Sequence, residues 1–77
     1  MSTIYAEIWA EVVRAKTKHP GDFHSVHEGY AILLEEVDEL WFEVKRQKPN
    51  RNVMRTEAIQ VAAMAVRFAQ ELCRETE

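Results

Sequence analysis

Residues 33–43 read LLEEVDELWFE and place five acidic side chains among leucine, valine, tryptophan and phenylalanine. An α-helix turns about 100° per residue, so a helical segment sorts its side chains onto separate sides. In that projection the apolar side consists of Tyr30, Leu33, Val37, Leu40, Trp41 and Val44. The opposite side consists of Glu35, Glu36, Glu39 and Glu43, which we call the acidic stripe. The segment therefore predicts an amphipathic helix.

Two breaks divide the chain around this segment. KHPGD (18–22) and KPNRN (48–52) contain Pro-Gly and Pro-Asn pairs, which are typical of turns. Ser25 and Glu28 form an S-x-x-E capping box, so the second helix should begin there and end near residue 47. Apolar residues at 4, 8 and 12 predict a first helix over about 3–17. The third helix should run from about 52 to 75, with Asn50 or Asn52 as its N-cap.

These elements predict an all-α fold in one domain over residues 1–77. The short link between the second and third helices favours an antiparallel hairpin, with the first helix packed against that pair. A chain of this length buries only about 60% of its unfolded surface. Since 47% of its residues are apolar, we expect the chain to self-associate into an oligomeric helical bundle.

Composition excludes several other classes of protein. The net charge of −3 gives no support for binding nucleic acid. No apolar run approaches the roughly 20 residues of a membrane span, and the N-terminal segment lacks the features of a signal peptide. The single cysteine, Cys73, cannot form an internal disulfide. A cytoplasmic protein that does not bind membranes is therefore expected.

The acidic stripe lacks the basic residues that usually balance a solvated helix face, since none occurs between His27 and Lys45. In an antiparallel hairpin with its turn near 49–50, Glu39 lies level with Gln60, and Glu57 lies between Glu39 and Glu43. Such converging carboxylates would suit Mg²⁺, which prefers oxygen ligands. A plain solvated face, or a surface that docks a basic partner, remains an alternative.

At this point the sequence resembles a known family. EEVDE (35–39), followed eighteen residues later by EAIQ (57–60), is similar to the E-E-x-x-E and E-x-x-D motifs of the MazG-like nucleoside triphosphate pyrophosphohydrolases. The similarity covers about residues 24–72. It implies an all-α homodimer or homotetramer that uses Mg²⁺, or Mn²⁺ in its place. It also implies hydrolysis of a (deoxy)nucleoside triphosphate to the monophosphate and pyrophosphate.

The resemblance also implies roles for individual residues. Glu36, Glu39 and Glu57 match metal ligands, and Glu35 matches a further ligand or the catalytic group that orients the attacking water. Gln60 stands where the family has Asp, so it offers a carbonyl oxygen but no negative charge. This departure leaves a second interpretation open, in which the chain is a non-catalytic binding or regulatory module with a weakened metal site.

Three further residues are candidates for contact with a nucleotide. Arg67 lies on the same edge of the third helix as Gln60, where it either pairs with Glu71 or meets a phosphate. Lys45 is a candidate phosphate contact or a solvated cation at the end of its helix. Trp9 is a candidate for stacking on the base or for the core.

Overall fold

The computed structural model describes residues 3–74 and contains three α-helices and no strand in that range. They are α1 (Ile4–Lys18), α2 (Val26–Val44) and α3 (Arg51–Leu72). This confirms the all-α prediction. None of these helices is both long and apolar enough to cross a membrane.

The helices begin where capping side chains are available. The Ser25 hydroxyl accepts a hydrogen bond from the Glu28 N–H at 3.0 Å, and the Asn50 side chain accepts from the Asn52 and Val53 N–H groups. Ser25 and Asn50 are therefore the N-caps, and Asn52 lies inside the first turn. The Glu28 carboxylate reaches one residue further back than in a standard box and accepts from the His24 N–H at 2.8 Å.

The predicted C-terminal ends are less accurate than the starts. α2 ends at Val44, before the predicted end near residue 47. The chain must turn before Pro49, and proline disfavours helical geometry in the residue that precedes it. α3 ends at Leu72, whereas its predicted end at residue 75 lies outside the described residues.

α3 is the central helix, because α1 and α2 both pack against it. In the described chain the backbones of α1 and α2 do not approach each other, so α1 packs against the pair of helices mainly through α3. The buried core consists of Val12, Ala15, Phe23, Ala63 and Met64. Because α1 and α2 flank α3, a groove lies between them. The candidate site described below borders this groove.

Gly29 sets how closely α2 approaches the end of α3. A Cβ atom at this position would lie 2.6 Å from Leu72 Cδ1 and 2.9 Å from Phe68 Cδ2. Carbon atoms in contact are normally about 3.5–4.0 Å apart. A side chain at position 29 would therefore force these neighbours to move, and glycine allows the two helices to pack closely here.

The apolar side predicted for α2 is only partly covered in a single copy. Leu33 packs against the core, but Tyr30 is 59% exposed and Trp41 is 57% exposed. α1 likewise exposes Tyr5 and Trp9. Large apolar side chains are therefore exposed on two helices of the chain.

Candidate metal and substrate site

Three of the predicted metal ligands come together between α2 and α3. One carboxylate oxygen from each of Glu36, Glu39 and Glu57 lies within 4.8 Å of the other two. Glu36 and Glu39 are one helical turn apart on α2, and Glu57 faces them from α3. We call these three residues and Gln60 the acid cluster. Glu39 is exposed, while Glu36, Glu57 and Gln60 are half-buried, so the cluster is open to solvent on one side.

Gln60 joins the cluster through its amide. With the amide nitrogen turned toward the acids, it donates to Glu57 Oε2 at 3.0 Å and to Glu36 Oε2 at 3.2 Å. The neutral side chain thus supplies two hydrogen bonds to carboxylates that accept no other hydrogen bond from the described residues. In the opposite orientation the same amide presents its carbonyl oxygen to the cluster, which is the atom that a metal would use.

The carboxylates of the cluster repel one another, and this repulsion favours their protonated forms. Partial burial, together with the neighbouring charges of Glu39 and Glu57, raises the pKa of Glu36 to about 6. Partial burial and the charges of Glu39 and Glu43 also raise the pKa of Glu57. Among the described residues, no lysine or arginine forms an ion pair with any of the three acids. A group of like charges without a counter-ion is a typical feature of functional sites.

The fourth acid of the stripe has a different environment. Glu43 Oε1 accepts a hydrogen bond from Arg46 Nε at 2.7 Å, so its charge is balanced within one turn of chain. Glu43 is therefore an internal control for the cluster, since it belongs to the same stripe but is paired.

The acid cluster opens onto a groove of about 700 Å³ between α1, residues 19–24, α2 and α3. Its apolar lining includes Ala15, Phe23, Ile32 and Met64. Glu35, Glu36 and Gln60 line it at the acid cluster. A cavity of this size with an apolar lining and a few polar groups has the dimensions of a small-molecule site. We refer to it as the groove.

The groove also contains basic residues that the sequence did not suggest. Arg14, Lys18 and His19 line it from α1 and the loop that follows. In the sequence they indicate only a basic C-terminal end of a helix. Their position opposite the α2 acids depends on how α1 packs on α3, and no local pattern reports that.

The three other candidates have different surroundings. Arg67 lines the groove but is only 5% exposed, and its Nε donates to Glu71 Oε2 at 2.8 Å. The pairing of Arg67 with Glu71 is thus present, and its contact with a substrate stays a prediction. Lys45 is exposed next to Phe42, and Trp9 borders a smaller depression between α1 and α3. Neither Lys45 nor Trp9 lines the groove of its own chain.

No protein-family model matches this chain, and neither curated proteins nor solved structures give a significant match. The likeness to MazG-like enzymes therefore rests on the motifs at 35–39 and 57–60. The geometry of the acid cluster is an independent observation, because it does not depend on that likeness.

Proposed function

We propose that this protein is a Mg²⁺-dependent nucleoside triphosphate pyrophosphohydrolase that acts as a homodimer or homotetramer. The observation that carries the proposal is the acid cluster, in which three carboxylates without an ion-pair partner among the described residues lie together and one of them, Glu36, lines a groove of ligand size. The resemblance of the motifs at 35–39 and 57–60 supplies the substrate class, a (deoxy)nucleoside triphosphate. We further propose a cytoplasmic protein that binds neither nucleic acid nor membranes.

Glu36, Glu39 and Glu57 would hold the cation, and Gln60 would add its carbonyl oxygen after its amide turns over. Ligands on opposite sides of an octahedral Mg²⁺ lie about 4 Å apart. Since the acid oxygens already lie within 4.8 Å of one another, small side-chain movements would complete such a site. When bound, Mg²⁺ would supply charge stabilisation of phosphate oxygens. Mn²⁺ prefers similar oxygen ligands and would serve in its place.

Glu35 is the proposed catalytic residue. It is exposed, it lines the groove beside Glu36, and it has no ion-pair partner in the described chain. A carboxylate in this position can orient a water molecule and accept its proton. Arg14 and Lys18 would then bind the phosphates that extend along the groove.

Arg67, Lys45 and Trp9 are proposed to bind substrate in different ways. Arg67 borders the groove of its own chain, so it would act on a nucleotide there while still paired with Glu71. Lys45 and Trp9 would contact the nucleotide from a neighbouring copy, since both are exposed and neither lines its own groove.

The contacts between α2 and α3 support the proposed antiparallel hairpin. Gly29, near the start of α2, adjoins Phe68 and Leu72 at the end of α3. Further along α2, Glu36 meets Gln60, nearer the start of α3. The order of these contacts reverses between the helices, which is what an antiparallel hairpin would produce.

Exposed apolar side chains support the oligomer. Trp41 and Tyr30 on α2 are each more than half exposed, and exposed apolar patches of this kind mark association surfaces. We propose that a second copy of the chain covers the exposed side of α2 that carries Tyr30 and Trp41. Sedimentation should then show a dimer or tetramer at micromolar concentration, and Trp41→Glu should shift it to the monomer. A wild-type chain that sediments as a stable monomer would contradict the oligomer.

The activity is tested with purified protein, Mg²⁺ and a panel of (deoxy)nucleoside triphosphates that includes modified bases. We expect the monophosphate and pyrophosphate as products, and no diphosphate. Glu57→Gln is the matched inactive control, because it removes one charge and keeps the shape. If no nucleotide of the panel releases pyrophosphate, the proposed reaction is wrong.

A second candidate function is a non-catalytic binding or regulatory module. Gln60 favours it, because the amide satisfies two carboxylates of the cluster without a metal. The Gln60→Asp variant separates the two functions. If wild type is inactive and this variant gains activity, the natural chain is a binding module; if wild type is active, it is an enzyme.

A further inference from the structure

The second half of α3 carries a buried ion pair outside the acid cluster. The side chains of Arg67 and Glu71 are each 6% exposed and lie one helical turn apart. Arg67 Nε donates to Glu71 Oε2 at 2.8 Å, and Arg67 Nη2 approaches Glu71 Oε1 at 3.3 Å. Both ends of the carboxylate are therefore occupied by the guanidinium.

The same pair binds the backbone of residues 19–25, the loop between α1 and α2. Glu71 Oε1 accepts a hydrogen bond from the Phe23 N–H at 2.8 Å. Arg67 Nη2 donates to the Gly21 carbonyl at 3.3 Å, and its guanidinium lies 4.5 Å from the centre of the Phe23 ring. Lys16 adds a contact from α1 to Glu71 at 3.3 Å. The pair thus joins α3 to the loop at three points.

A buried ion pair is a poor way to stabilise a chain of this size. Removing two charges from water costs several kcal/mol, and apolar replacements of similar volume are often neutral or stabilising. Only five apolar residues are buried in the described part of this chain. What the pair provides, and an apolar pair would not, is a set of hydrogen bonds that fixes the loop.

The loop depends on this pair for its position. Gly21 has φ of +100°, a conformation that residues with a side chain rarely adopt. In the described chain, no backbone N–H of residues 20–25 donates a hydrogen bond to a backbone carbonyl. The N–H groups of Phe23 and His24 instead donate to the Glu71 and Glu28 carboxylates. The loop is therefore held by side chains, and Arg67 and Glu71 anchor it to α3.

The position of the loop matters because residues 19–24 form one wall of the groove. We infer that Arg67 and Glu71 are a positioning pair that holds this wall in place and thereby sets the affinity of the groove for its ligand. The ligand, a nucleoside triphosphate, is taken from the proposed function, whereas the control of the loop is independent of it.

The double variant Arg67→Met/Glu71→Leu tests this inference without leaving a buried charge unpaired. Exchange of the Phe23 amide hydrogen should become at least about tenfold faster, since it loses a bond to a charged acceptor. Amides in the centres of α2 and α3 should exchange as in the wild type. In Glu71→Gln, which keeps Arg67, KM for a nucleotide substrate with Mg²⁺ should rise several-fold while kcat stays within about twofold, because the acid cluster is unchanged.

Asp22→Asn is the matched control, since it weakens contacts of the same loop with Lys16 and Arg74 at an exposed position. Its effect on the Phe23 amide should be less than about threefold. Glu71→Gln provides a second variant if the double variant does not fold, and it should also accelerate exchange in the loop.

Two results would overturn the inference. One is an unchanged Phe23 amide in both variants. The other is faster exchange spread equally over all three helices of the double variant, which would make the pair a general stabiliser. If the wild type hydrolyses no nucleotide, the proposed function fails, but the exchange of Phe23 still decides whether the pair positions the loop.

Discussion

α3 carries charge in opposite ways at its two ends. Near its start, Glu57 joins Glu36 and Glu39 in a group of like charges that is open to solvent and has no basic partner within residues 3–74. Near its end, Glu71 and Arg67 form a buried pair of opposite charges, and no buried side-chain polar atom of the described residues lacks a hydrogen-bond partner. Sequences usually violate local rules of charge pairing only where function requires it. In our proposal, the start of α3 therefore belongs to a ligand site and its end to a positioning element.

The pKa shifts express the same contrast. Partial burial and neighbouring acids raise the pKa of Glu36 to about 6. Burial also acts to raise the pKa of Glu71, but Arg67 and the Phe23 N–H outweigh it and lower that pKa below its usual value. The Glu36 carboxylate would be stabilised by a cation from outside the chain. The Glu71 carboxylate already has a cationic partner, Arg67.

The largest effect on stability is expected from Glu71→Ala. It leaves Arg67 buried without its partner, and breaking a buried pair in this way typically costs about 3–5 kcal/mol. Urea unfolding should show this loss, whereas Glu36→Gln should leave the free energy of unfolding unchanged or slightly higher. If both variants lose stability equally, the contrast between the two ends of α3 is wrong.

The largest effect on activity is expected from Glu57→Gln. Loss of a proposed metal ligand should lower kcat/KM at least about a hundredfold. Glu43→Gln removes a charge from the same stripe, but Glu43 is paired with Arg46, so its effect should stay below about threefold. Steady-state kinetics at fixed Mg²⁺ measure both, and equal losses in the two variants would remove the distinction between them.

Gly29→Ala should destabilise the end of α3 that carries the ion pair. The new methyl would crowd Leu72 and Phe68, and overpacking costs about 1–3 kcal/mol. The higher helix propensity of alanine offsets about 1 kcal/mol of this cost, so the free energy of unfolding should fall by about 1 kcal/mol. Thermal unfolding measures it, with Gly21→Ala as a control in which strain at positive φ acts without crowding. A variant at position 29 as stable as the wild type would show that this packing is loose.

The smallest expected effect is a dependence of stability on pH. Because the pKa of Glu36 is raised to about 6, the folded chain binds more protons than the unfolded chain between about pH 4.5 and 6. Stability without metal should therefore fall as pH rises through this window, by roughly 1 kcal/mol or less after allowance for solvent screening. Glu36→Gln should reduce the slope, and the part that remains should come from Glu57, whose pKa is also raised. Stability that rises over this window in the wild type would contradict the raised pKa.

Local chemistry made part of this structure predictable. The caps at Ser25 and Asn50 and the breaks at 18–22 and 48–52 determine where helices start, and each acts through neighbouring residues. The acidic stripe and Glu57 followed from helical periodicity. The exposure of Trp41 could not be predicted in this way. Helical periodicity shows that one side of the helix is apolar, but it does not show what covers that side. The burial of Arg67 and the basic side of the groove depend on packing between distant segments, which no local pattern encodes.

The central claim is that Glu36, Glu39 and Glu57 together bind a divalent cation. The most direct test is titration with Mn²⁺ while the backbone amide signals are followed by NMR, because the paramagnetic ion broadens signals near its site. At low Mn²⁺ we expect broadening centred on residues 36, 39, 57 and 60. Excess Mg²⁺ should reverse it, and it should be absent in Glu57→Gln. No broadening in this region at millimolar Mn²⁺, or broadening centred on other acids such as Glu43, would contradict it.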